Sequence, residues 1–504
     1  MSSNLPSEPI PVNEQQPACQ GNELSTQTVS PAGPPRRKRR VRCIVLLLVL
    51  AFAAWFARFA YLRITVRPAP RPEYWEAQIE ALDPPPAGGL TVEQAAEILS
   101  DHPWLDLPEV QAGLGSRTKW NSVLTGPWDE TRPDIVSARF AFGTKSFDET
   151  SDRVRDALRV GWSPFIQTTS LRMLANWFRE FWVWSTWFNM HARWARESGV
   201  GMDEAVVDWL DALRLGREAR RPCLVIAQGA AAHHDDQVAW EMLVCAREPH
   251  DRVDTLRLAQ AVEEIVGPPV PPCEMFEGER LYLHSHLERI YAGGGHDWLV
   301  VSEAAKHPAS WDWGPIGPAA SRLWNLTSPV FLDLPSARRI VDAYFARLNR
   351  IRSFAECVQT SDISRPDDRE ARPTSLIGVT YSFSSRGPEN TLLFCFHARM
   401  SLDAAVTMLA LDEYRREQER YPERLEELIP RFLLRLPTDY ADLQPLRYRR
   451  LRDDYLLYSI GEDLKDDDGI GKSPYDYWPS YGGSPPRGDI VFSLSQRPPL
   501  KSEE

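Results

Sequence analysis

Five aspartates near the C-terminus have the type and spacing to bind a hard cation. Asp463, Asp466, Asp467 and Asp468 fall within six residues, Gly469 closes the run, and Asp489 returns just before the apolar stretch Ile490-Val491-Phe492. Calcium takes about six to eight oxygens from carboxylates, carbonyls and water, and aspartates clustered on a loop supply them once a cation offsets their repulsion. The spacing is not that of an EF-hand. Counting back from Gly469 puts Leu464 at the first ligand position, and Tyr475 stands where the closing glutamate belongs. A solvated acidic turn uses the same residues, and spacing alone leaves both readings open.

Elsewhere the chemistry-bearing residues are sparser. His233 and Asp236 lie one helical turn apart and could offer two ligands to a metal, but no third is legible. His284 and His286 flank Ser285, and His296 follows three glycines, all without evident partners. An envelope hydrolase with its site in the helical domain is the alternative function, and it would rest on His233, Asp236 and His284. No nucleophile elbow, zincin helix, phosphate-binding loop or dinucleotide glycine fingerprint occurs. An enzyme is therefore the lesser expectation, and no catalytic residue is assigned. Trp177, Phe181, Trp184 and Phe188 share one face of a helix, with Phe178 and Trp182 round the side and Trp187 and Trp194 beside them. Core packing is the expected role of these rings, a partner groove or interfacial face the other.

The elements that must hold the acidic loop are a helix and a hairpin. His397 to Gln418 places Leu402, Ala405, Val406, Leu409, Ala410 and Tyr414 on one stripe, and Pro422 ends the helical pattern. Leu446 to Leu451 and Tyr455 to Ile460 alternate across Arg452-Asp453-Asp454, which predicts an antiparallel hairpin. Asp489 to Leu494 supplies a third strand. Upstream, Thr91 to Gln94 has the form of a capping box. Asp203 can cap a helix carrying Val206, Trp209, Leu210 and Leu213 and ending near Gly216, with further helices expected over Cys223–Arg247 and Ser336–Arg352. Residues 358 to 390 read as a long polar loop.

The order Tyr421-Pro422 before a leucine turn, Pro437-Thr438-Asp439, the aromatic hairpin ending Tyr458-Ser459-Ile460-Gly461, the aspartate loop and Asp489-Ile490 resembles the C-terminal domain of the type II secretion major pseudopilin. The resemblance covers residues 397 to 494. It implies calcium bound by Asp463, by Asp467 or Asp468, and by Asp489, with backbone carbonyls near Leu457 to Ser459. A pseudopilin runs its membrane helix straight into this domain behind a short basic leader with a glycine and a glutamate; here some 330 residues intervene and that leader is absent. The tail is thus expected to be a borrowed module. The whole chain also resembles membrane-anchored envelope proteins of planctomycete-type bacteria.

The 504 residues carry a formal charge of −12, which argues against nucleic acid as a partner. The local exception is six cations, Arg36 to Arg40 and Arg42, directly before the apolar run Cys43–Ala57. Counted to Leu62, with Arg58 near the outer end and Trp55 and Tyr61 for an interfacial belt, the segment predicts a single membrane span. A cleaved signal peptide is the competing reading, disfavoured by the long leader before the run. The cationic flank places the N-terminus in the cytoplasm and the bulk outside, at the inner membrane. Envelope or secretion-apparatus proteins are the partners this location suggests. Five cysteines, Cys223, Cys245, Cys273, Cys357 and Cys395, fall outside; buried free thiols or one or two disulfides both satisfy that number.

The expected class is mainly α, with a small α+β C-terminal domain built on a three-stranded antiparallel sheet. The expected organisation is a disordered tail (1–42), an anchor (43–62), a Pro-rich stalk (63–89), a helical-hairpin domain (90–390), the pseudopilin-like domain (391–497) and a terminal tail (498–504).

Overall fold

The computed structural model describes residues 36–65, 72–82, 87–101, 146–162, 171–221, 224–267, 272–292, 334–353, 356, 387–472, 474 and 488–493. The expectations for the N-terminal tail, for His296 and for most of the 358–390 loop lie outside these residues, as do the side chains of Cys223, Cys273 and Cys357. The chain divides into two compact units, Met1–Ala60 and Tyr61–Glu504.

In the first unit, helix α1 (Arg36–Thr65) carries the apolar run Cys43–Ala57. Its side chains from Ile44 to Leu50 are more than half exposed. Nothing in the described residues of that unit buries them.

The second unit is mainly helical. Its helices are α2 (Pro72–Leu82), α3 (Val92–Leu99), α4 (Ser146–Val160), α5 (Leu171–Glu197), α6 (Met202–Arg220), α7 (Val225–Cys245), α8 (Thr255–Val266), α9 (Pro272–Met275), α10 (Glu277–Ala292), α11 (Leu334–Leu348) and α12 (Gly387–Gln418). Consecutive helices α5, α6 and α7 pack on one another, and α12 lies along α7. Trp184, Trp209, Phe188 and Leu213 are fully buried at these contacts, and Phe181 and Trp187 nearly so. The described part of the aromatic run is therefore core. The Thr91 capping box forms as expected, Thr91 Oγ1 accepting from the Gln94 amide and Gln94 Oε1 from the Thr91 amide.

Three helix boundaries correct the sequence reading. The helix expected to start with an Asp203 cap has Gly201 as its N-cap, with Asp203 inside the first turn, where a carboxylate still complements the helix dipole. It also runs through Gly216 to Arg220 rather than stopping there. At Gly216 helices α6 and α7 touch: a Cβ there would stand 3.0 Å from Asp235 Oδ1 and 3.7 Å from His234 Cβ. The glycine thus serves a close approach of helices instead of a helix end. Likewise α12 begins at Gly387, ten residues before the expected start at His397, so its first turns take in residues 387–390 of the expected loop.

Helix α12 from Thr391 to Gln418 is long and apolar enough to cross a membrane, but most of it is buried. Leu402, Ala404, Ala405, Leu409, Ala410 and Leu411 are inaccessible to solvent, so this is a core helix. It ends at Glu419, whose positive φ and amide bond to the Arg415 carbonyl close the last turn before Pro422.

Beyond a short 3-10 turn (Leu425–Leu428) come β1 (Arg447–Arg450), β2 (Tyr455–Ser459), β3 (Gly471–Lys472) and β4 (Asp489–Val491), in the order β1-β2-β4-β3. The first three positions form the expected three-stranded antiparallel sheet, with Tyr448 opposite Leu457 and Tyr458 opposite Val491. The two-residue β3 adds a parallel edge beside β4 that the sequence did not announce.

Candidate functional site

The acidic loop leaves β2 at Gly461 and returns to the sheet at β3, and its aspartates are drawn toward β4. Asp489 is fully buried, and its two carboxylate oxygens accept from the amides of Asp467 (3.3 Å) and Gly469 (2.7 Å). Asp463 Oδ2 accepts from the Gly488 amide at 3.2 Å, and its Oδ1 accepts from the Lys465 amide. Asp467 Oδ2 lies 3.8 Å from where a Gly488 Cβ would stand. Asp463 and Asp467 therefore approach Gly488, while Asp489, the next residue, turns its carboxylate to the Asp467 and Gly469 amides. Asp466 turns the other way, accepting from the Tyr458 hydroxyl at 3.0 Å and from the Asp468 amide. The Asp468 side chain is exposed, and its carbonyl accepts from Arg449.

The electrostatics of this loop are unbalanced. Burial pushes the Asp489 carboxyl above the usual carboxylate range, amide bonds from Gly469 and Asp467 oppose that, and the charges of Asp466 and Asp467 add to it. An all-oxygen donor set suits calcium. As the loop stands it does not place three carboxylate oxygens within 4.8 Å of one another; among the described residues only His191, Glu204 and Asp208 bring three ligand atoms that close. A cation would have to draw the loop inward.

Beneath the loop, Asp439 is the carboxylate that fastens hairpin to turn, and sequence reasoning gave it no role beyond the motif. Its Oδ1 accepts from Ser459 Oγ (2.7 Å) and the Ala441 amide, and its Oδ2 from the Ile460 amide and Arg447. With no exposure and four donors, it is a structural pin of the kind that buried carboxylates require.

The His191 group belongs to α5 and α6. His191 Nδ1 lies 2.6 Å from Asp208 Oδ2, and its ring stacks on Trp187 at 5.0 Å. Arg155 from α4 reaches Asp208 (2.7 Å), Asp211 (3.1 Å) and Glu204 (3.3 Å), and Arg214 bonds Asp211. One nitrogen of that guanidinium, Nη2, is already bonded to both carboxylates of the His191–Glu204–Asp208 group. The cluster is an ionic clamp joining three helices. No sequence spacing announced it, because His191 and Asp208 sit on different helices.

The three residues of the hydrolase alternative have separate surroundings. Asp236 pairs with His397 of α12 (3.2 Å), and His233 Nε2 lies 3.1 Å from Gln237. His284 instead faces Asp342 of α11 (2.9 Å) and stacks on Trp75 of α2 at 4.6 Å. Among the described residues the contacts seen for the two groups are different ones. A groove of about 200 Å³ between α8, α12 and residues 433–437 is lined by Val262, Val406 and Leu433. Its charges are spent on each other, Arg399 with Glu263 (2.5 Å) and Arg435 with Asp403 (3.0 Å).

Of the cysteines, Cys245 and Cys395 are free thiols; the Cys395 thiol is pushed up to about 12 by burial, which leaves it inert as a nucleophile. Comparison with protein-family models, with curated proteins and with solved structures finds no match to the chain.

Proposed function

We propose that the chain is a membrane-anchored, extracytoplasmic interaction protein of the cell envelope, with a pseudopilin-like C-terminal module whose aspartate loop takes up calcium. The observation that carries the calcium reading is the approach of Asp463 and Asp467 to Gly488 beside the buried Asp489, three carboxylates for which no ion pair with a cationic side chain is seen among the described residues. Bound calcium would supply the missing positive charge. Asp489 orients the loop through two amides, and Asp463 and Asp467 close it from either side.

The anchor reading rests on the cationic flank and on the exposed apolar run of α1. It puts the helical body and the module on the outer side of the inner membrane, where envelope proteins, including those of a secretion apparatus, are within reach. Calcium in this reading stabilises the module by linkage and does no chemistry.

The test is calcium titration of the full chain in detergent, followed by calorimetry and by melting temperature with and without chelator. At calcium a hundredfold above its dissociation constant, stabilisation of about 2.7 kcal/mol is expected. Asp463→Ala and Asp467→Ala should each abolish the calcium-dependent shift. A melting temperature indifferent to calcium would reduce the loop to a solvated turn.

A further inference from the structure

The outer edge of β1 is open. In the β1–β2 pair Tyr448 stands opposite Leu457 and Arg450 opposite Tyr455. Leu457 accepts the Phe492 amide with its carbonyl and donates its own amide to Ser493 Oγ, both on the β4 side. Its backbone groups therefore point away from β1, and by antiparallel alternation those of Tyr448 and Arg450 point away from β2. Among the described residues no hydrogen bond is seen to the amides or carbonyls of Tyr448 and Arg450. Just upstream the chain fills this edge itself: the Leu446 amide donates to the Pro437 carbonyl at 2.9 Å, beside the Thr438–Pro445 bridge. Tyr448 and Arg450 continue that line without a strand of this chain beside them.

The side chains of the edge decide what can pair with it. Arg447 is bonded to Asp439 (2.9 Å) and Asp442 (2.5 Å), and Arg450 to Glu423. Arg449 between them is exposed, and its Nη2 donates to the Asp468 carbonyl at 3.3 Å; no carboxylate is seen paired with it among the described residues. Arg452 follows in the turn, 96% exposed. A second copy pairing antiparallel about Arg449 would set that arginine directly against its own counterpart, and like charges so placed are destabilising. A short charged edge is one way a protein prevents its sheets from joining. The same charge that repels a copy attracts a strand of opposite sign.

We propose that β1 accepts an extended acidic segment of a partner protein as an additional antiparallel strand, with Arg449 facing a carboxylate on it. The inference deepens the interaction reading above and rests on it, while the calcium reading is separate. Tyr448 and Arg450 supply the backbone ladder that gives affinity, and Arg449 selects by charge. In antiparallel register the guest residue opposite Arg449 turns its own amide away from β1, and the residues on either side of it donate to the edge. The guest enters at the edge of the sheet opposite β3.

The experiment titrates the full chain in detergent with short fluorescent peptides and reads anisotropy. One peptide alternates glutamate with valine and another lysine with valine; two more are the glutamate peptide N-methylated at its valines or at its glutamates. Saturable binding of the glutamate peptide and none of the lysine peptide is expected. Methylation at the valines, whose amides meet the edge, should abolish binding, and methylation at the glutamates should not. Arg449→Glu should weaken the glutamate peptide at least about tenfold and transfer binding to the lysine peptide, an exchange that misfolding does not produce. No binding of the glutamate peptide, binding indifferent to methylation at valine, or a variant that shows no exchange overturns the proposal. A dimer of the full chain that the glutamate peptide dissociates also overturns it, by giving the edge to a second copy. The calcium-dependent melting shift is measured on the same samples: a shift without peptide binding sinks this inference alone, and the absence of both sinks the module reading with it.

Discussion

His234 shows how costly a single buried residue can be. It is 2% exposed on α7, and neither ring nitrogen has a hydrogen-bond partner among the described residues. Burial, with Arg220 and His233 nearby, pushes its pKa from 6.5 down to about 3. The folded protein thus keeps the ring neutral while the unfolded chain protonates it near pH 6.5. Stability from this residue is fully present above pH 6.5 and is lost as pH falls toward 3, by an amount bounded at roughly 5 kcal/mol. Asp235 next to it pairs with Arg220 and keeps its own buried charge answered. Replacing His234 by Leu removes two unsatisfied nitrogens. Urea unfolding should therefore find His234→Leu at least as stable as wild type at pH 7, with a shallower loss between pH 6.5 and 4. An unchanged acid limb would show that the ring is solvated in solution.

At the scale of elements, the join of β3 to β4 decides whether the aspartate loop is fixed to the sheet. Gly471 pairs with Asp489, and a Cβ on it would stand 1.7 Å from the Asp489 carbonyl oxygen. Backbone cannot yield by that much, so Gly471→Ala must part the two strands. A loss of about 1–3 kcal/mol in denaturant midpoint is expected, together with weaker calcium binding, since Asp489 then no longer sits under the loop. Lys465→Ala, on the exposed side of the same loop, should leave stability within about 0.5 kcal/mol of wild type. If both variants unfold at the wild-type midpoint, the β3 edge contributes nothing. The tail's own elements were legible because they are local: the alternation of β1 and β2 and the stripe on α12 have the periods of strand and helix. β3 was not, because two residues carry no period, and only their approach to β4 makes them a strand.

For the molecule as a whole, α12 is the central member. One side of it lies along α7, its C-terminal turns meet the tail, with Tyr414 donating to Glu427, and Glu413 accepts the Val253 amide ahead of α8. Leu409, inaccessible to solvent, belongs to the same continuous core as Trp209 of α6 and Tyr455 of β2. Residues 61–504 should therefore unfold in one cooperative step, with helical and aromatic signals coincident. Leu409→Ala should shift both signals together by about 2–5 kcal/mol. Two separated transitions would mean that the tail folds by itself.

Sequence alone determined the mainly helical class, the anchor-like apolar run after its basic flank, the three antiparallel strands and the aspartates of the loop. Each of these is written in neighbouring residues, through periodicity, composition or proximity along the chain. Tertiary structure decided what distant residues do together. It made α12 a core helix by surrounding its apolar length with protein, and turned Gly216 from an expected helix end into a crossing point. It gathered Arg155, His191 and Asp208 from three helices into one clamp, set His284 against Asp342 and Asp236 against His397, and brought Asp489 to the amides of Asp467 and Gly469. The physical reason is common to all of them: burial and pairing depend on what lies across a contact, and a one-dimensional pattern does not contain that neighbour.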